Sequence, residues 1–116
     1  MKKFIAIYIG TQEALAEWEK VPEQEKKARM QEGMSVWMKW HNDNSAVILD
    51  TGNPLGKTKS ISPAGIADIK NQMTGYVIVQ AESHEAAAKL FVNHPHFTLF
   101  PGASVELMEC IPLPAM

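Results

Sequence analysis

The stretch "GYVIVQAESHEAAAKLFVN", Gly75 to Asn93, decides how the chain folds. It opens on a β-branched and aromatic run, breaks at an acidic residue and a serine, and continues rich in alanine. Tyr76 to Val79 reads as strand. Ser83 is an N-cap residue, whose hydroxyl satisfies a free amide of the first helical turn. Ala87, Leu90 and Phe91 recur at helical spacing, which predicts a helix from about Ser83 to Asn93. Pro95 then bars His94 from helical geometry and ends it.

Outward from that unit, the same pairing of strand and helix appears a second time. "KFIAIYIG" (Lys3 to Gly10) is strand-like, and Pro22 to about Asn42 reads as a long helix with Glu23 and Glu25 in its first turn. Met30, Met34, Trp37, Met38 and His41 form its apolar stripe, opposite Gln31, Glu32, Ser35 and Lys39. "AVILDTG" (46–52) and "SVELMECI" (104–111) add two strands. The order strand, helix, strand, strand, helix, strand predicts an α+β protein with a ferredoxin-like βαββαβ antiparallel sheet. Gly52 to Gln72 is an irregular excursion, and residues 1–116 make one domain.

The strands carry a further message. In "FIAIYI" both alternating sets are apolar, Phe4, Ala6 and Tyr8 on one side and Ile5, Ile7 and Ile9 on the other. "YVIV" behaves the same way. Helices cover only one face of such a sheet, and an antiparallel sheet normally leaves its other face polar. The spare apolar face predicts a homodimer with sheets packed face to face.

Composition bounds the function. A chain of 116 residues, 46% hydrophobic and 21% charged, suits one globular domain. Its single cysteine, Cys110, excludes an intramolecular disulfide. A net charge of −2 gives no electrostatic footprint for nucleic acid. The N-terminal apolar run, Phe4 to Ile9, is too short for a signal peptide or a membrane span, so the chain reads as cytoplasmic. No flavin, haem or nicotinamide motif is present, and no cofactor is expected.

"TGNPLGKTKS" (51–60) resembles a phosphate-binding loop without satisfying one. The pattern needs glycine at position 51, where Thr51 stands, and a helix opening at Thr58, where Pro63 and Gly65 follow closely. The stretch reads as a turn between hairpin segments. His94 and His96 flank Pro95, but two histidines alone make a weak metal site, and no metal is expected. The two helices run antiparallel, so His94 and the exit of the second strand at Asp50 fall at one end of the sheet, with His41 at the other. Asp50 beside His94 suits general acid–base chemistry, since a carboxylate orients an imidazole and raises its pKa above 6.5. Trp37 and Trp40 supply aromatic walls for an organic ligand, with Asn53 and His96 as further ligand contacts.

"ILDTGNPLG", the tryptophans of the first helix and "GYVIVQAESHEAAAKLFVNHPHF…PGASVELMECIPLP" together resemble the YCII-related (DGPF-domain) family across roughly Met30 to Pro112. The resemblance implies a dimeric α+β barrel, whose wider superfamily includes small oxygenases, isomerases, dechlorinating enzymes and ligand-binding domains. Some relatives carry a His-Asp pair proposed as catalytic. Asp50 matches a polar position after the second strand and His94-Pro95 the family's His-Pro, while the pair's usual histidine falls in the first helix, near Met30 and Met34. Two functions are implied: a cofactor-free small-molecule enzyme using Asp50 or His94 for proton transfer, or a non-catalytic ligand-binding or accessory dimer.

Overall fold

Four strands hydrogen-bond into one antiparallel sheet that carries most of the core: β1 (Lys2–Ile9), β2 (Ile48–Asp50), β5 (Met73–Ala81) and β6 (Ser104–Glu109), in the spatial order β2-β5-β1-β6. The computed structural model describes residues 1–114. That strand order is the ferredoxin-like arrangement, and the α+β expectation holds. Phe4, Ala6 and Tyr8 of β1 alternate inward with Val77, Val79 and Ala81 of β5, and Ala87 and Phe91 close over them. Such period-two burial comes from side chains pointing to alternate faces of each strand.

The helices differ from the reading in three places. α1 (Gln12–Glu19) was not anticipated; Thr11 caps it by accepting the Ala14 amide at 3.1 Å, yet none of its residues is buried. With no face in the core, it left no apolar period to read. α2 (Glu23–Asp43) forms as expected, but its stripe does not bury: Met30, Met34 and Met38 are exposed, and Gly33 is its one buried residue. Gly33 is tight against Phe100, where an added Cβ would come within 2.6 Å of the ring. The second helix is shorter than expected: α3 (His84–Lys89) ends early, and a four-residue α4 (Pro95–Thr98) follows. α3 has already ended at Lys89, so Pro95 does not stop it; Pro95 opens α4, a position that suits a residue with no amide hydrogen.

The excursion is a hairpin, β3 (Thr58–Ser62) paired with β4 (Gly65–Ile69). Thr58 opens a strand and not a helix, so no phosphate-cradling loop forms. Ile61 and Ile66 face each other across it and are both exposed. The hairpin stands away from the sheet, and the radius of gyration, 16.3 Å, exceeds the roughly 13 Å of a close-packed chain of this length.

Candidate functional site

Between α2 and the sheet lies a cavity of about 550 Å³. Trp37 and Trp40, reaching from α2 toward the sheet, hold the helix off it. Trp40 is pinned by its indole N–H, which donates to the Leu90 carbonyl at 2.7 Å. Tyr8 and Val77 supply the floor, and the segment Thr51–Pro54 and Phe100 supply the sides. Gly52 must be glycine for this segment to lie flat on β5. Its φ is +70°, and a Cβ there would come within 1.6 Å of the Tyr76 carbonyl oxygen. Among the described residues no carboxylate, lysine or arginine side chain lines the cavity; its polar side chains belong to Tyr8, His41, His96, Asn53 and two threonines, and Tyr76 borders it through its backbone. A large apolar concavity with a few polar groups is the ordinary form of an organic-ligand site.

Of the residues to which the sequence points, Trp37, Trp40, Asn53 and His96 line this cavity, and Asp50 and His94 do not. The expected rim shared by Asp50 and His94 is not formed. The β2–β5 register slips between Ile48 and Asp50, which pairs Asp50 with Ile78 on the face away from the helices. There Asp50 Oδ1 accepts the Gly52 amide at 2.8 Å and fixes the turn that leaves β2. His94 is no rim residue either, being 1% exposed. Its ring stands perpendicular to Trp37 at 4.5 Å and near-perpendicular to Trp40 at 4.7 Å. His41, expected at the opposite end of the sheet, lines the same cavity as Thr51–Pro54 because β2 is only three residues long.

The histidine electrostatics also reverse the expectation. Burial, reinforced by the neighbouring His96, pushes the His94 pKa down to about 4, and no carboxylate contributes. His94 Nδ1 accepts the His96 amide at 3.0 Å, so the proton of the neutral ring sits on Nε2. That Nε2 is buried without a hydrogen-bond partner. His96 Nε2 donates to the Ile9 carbonyl at 2.9 Å. Burial lowers the His96 pKa, opposed in part by the Ile9 and Ser104 carbonyls. With His94 Nδ1 and His96 Nε2 both engaged, the His-Pro-His segment is not arranged as a chelate. Among the described residues no group of three His, Cys, Asp or Glu side chains comes together as metal ligands would.

Comparison with known proteins adds one fact. The chain matches no protein family and no curated protein by sequence. Among solved structures it is similar to 5-chloro-2-hydroxyhydroquinone dehydrochlorinase from Burkholderia phenoliruptrix, determined in complex with 2,5-dihydroxybenzoquinone. The similarity covers 91% of this chain and 90% of that one, with a TM-score of 0.54 and 14% identity. The α+β fold is therefore shared with that protein. At this identity the likeness is one of fold and carries no activity with it. No helix among the described residues is long and apolar enough to cross a membrane.

Sequence reasoning missed Tyr8 and Phe100 as cavity residues. Tyr8 sits within an apolar strand and gave no signal apart from its hydroxyl. Phe100 lies in a loop whose path the sequence does not specify.

Proposed function

We propose that this chain is a YCII-related small-molecule protein, acting as a homodimer, whose cavity takes a flat, uncharged organic compound without a cofactor. The observation that carries this reading is the cavity itself, about 550 Å³, walled by Tyr8, Trp37, Trp40 and Phe100 and lined, among the described residues, by no carboxylate, lysine or arginine. A charged ligand would lose its hydration there and gain no counter-ion. The similar dehydrochlorinase, determined with a hydroxylated quinone, is a protein of the same fold holding a compound of this general shape.

Asp50 and His94 serve this site as positioning residues: Asp50 holds the Gly52 turn and His94 props both tryptophans. Proton transfer falls to groups lining the cavity, among them His41 and His96. The lack of a lining carboxylate among the described residues favours a second reading, a binder without turnover. Thermal-shift screening of uncharged aromatic compounds, followed by product analysis of each hit, tests both. Stabilisation with turnover supports the enzyme, stabilisation alone supports the binder, and a screen with no stabilising compound contradicts the shared premise.

The dimer reading rests on the bare sheet face. Ile5 pairs with Ile78 and with Met108, and Ile7 pairs with Tyr76, so an apolar band crosses three strands on the face away from the helices, its side chains half-buried or exposed. Leu49, 51% exposed, extends it. A patch of this kind on an isolated protomer marks an interaction surface.

A further inference from the structure

Two polar atoms of the cavity make no hydrogen bond within the geometric limits of one among the described residues. These are the Tyr8 hydroxyl and His96 Nδ1; His96 Nε2 is committed to Ile9, and the Ser104 carbonyl, which also acts on the His96 ring, comes no closer than a weak contact. Both residues are largely buried, yet the buried side-chain atom left wholly without a partner is His94 Nε2. The other two atoms therefore remain reachable, and both residues line the cavity. The His96 ring cannot turn over freely: a Cβ on Gly102 would come within 2.4 Å of Nε2, so the backbone is already packed on that edge. With its proton held on Nε2 by the Ile9 carbonyl, Nδ1 offers a lone pair. The Tyr8 phenol keeps its proton and offers a donor, because burial raises its pKa. The two rings lie 5.1 Å apart.

A fixed donor beside a fixed acceptor, in an uncharged aromatic cavity, matches one functional group well. A hydroxyl accepts and donates at a single oxygen. We propose that Tyr8 and His96 form the polar end of the cavity and select a hydroxylated aromatic compound in its neutral form. The ligand hydroxyl accepts from Tyr8 Oη and donates to His96 Nδ1, while its ring lies against Trp37 and Phe100. This deepens the small-molecule reading above and rests on it.

The test uses 2-naphthol, neutral at pH 7, and 2-methoxynaphthalene, which has the same rings but no donor. Binding of each is followed by NMR on wild-type protein and on Tyr8→Phe, a change that removes one oxygen with no protein partner. The expected result is that wild type prefers 2-naphthol by about tenfold. Tyr8→Phe then weakens 2-naphthol about fivefold to tenfold, leaves 2-methoxynaphthalene within twofold and melts as wild type does. The His96 Nδ1 resonance moves upfield with 2-naphthol alone, as a newly hydrogen-bonded nitrogen does. Equal binding of both compounds, unchanged by Tyr8→Phe, overturns the selection while leaving the cavity as a ligand site. Binding of neither at millimolar concentration overturns both.

Discussion

His94 Nδ1 accepts the His96 backbone amide at 3.0 Å, and His94 thereby caps the short helix on which His96 stands. One buried imidazole thus sets the backbone of the next. The pair is a structural unit between the aromatic floor and α2, and its members have different duties. His94 is enclosed by Trp37, Trp40 and Phe91, while His96 borders the cavity.

This enclosure makes acid destabilising. The folded His94 pKa, about 4, lies below the 6.5 of an unfolded histidine. Between those values the unfolded chain binds more protons, so stability falls as pH drops from 6.5 toward 4. Each such group contributes a slope of up to about 1.4 kcal/mol per pH unit. His96, shifted the same way, adds to it. Urea denaturation across this range should show the loss, and His94→Asn, which keeps a capping oxygen, should show a shallower slope than wild type. Equal slopes would contradict the enclosure.

The turn at Gly52 should tolerate no side chain. Gly52→Ala forces a positive φ on alanine and drives Cβ into the Tyr76 carbonyl, for an expected loss of about 2–4 kcal/mol. Gly56→Ala meets nothing within 4 Å and should change stability by less than about 0.5 kcal/mol. Asp50→Asn keeps an acceptor for the Gly52 amide and should leave ligand affinity and any turnover near wild type. Asp50→Ala should cost about 0.5–1.5 kcal/mol. Loss of turnover in Asp50→Asn without loss of stability would instead make the carboxylate a proton-transfer group.

The bare sheet face predicts the assembly. Light scattering at micromolar concentration should give twice the protomer mass, with roughly 1,200–2,000 Å² or more buried in total. Ile5→Lys, flanked by Ile78 and Met108 in the middle of the apolar band, should shift the equilibrium to monomer without unfolding the protomer. A wild-type monomer would mean that something other than a second copy covers this face.

The sheet was legible in the sequence because its strands are long, β-branched and alternating, and their order admits few topologies. The spare apolar face on β1 and β5 was legible for the same reason. Four cavity residues could also be named, since two tryptophans on one helix and polar residues at strand and helix ends mark a site. The Asp50–His94 pairing failed on a point that sequence does not encode. A single-residue register slip in β2 carried Asp50 to the opposite face, and slips of this kind reverse every side chain beyond them. His94 was misjudged because His-Pro reads as a loop, and here the loop is core. α2 was read as burying its methionines, whereas the tryptophans keep the helix off the sheet and leave the space beneath it open.

The central claim is that this space is a ligand site, and a crystal structure of the protein soaked with 2-naphthol tests it most directly. The expected result is density for one ring system between Trp37 and Phe100, with its oxygen within hydrogen-bond distance of Tyr8 Oη and His96 Nδ1. A saturating soak that leaves the cavity filled by water alone, with 2-naphthol absent or bound elsewhere, would contradict the account.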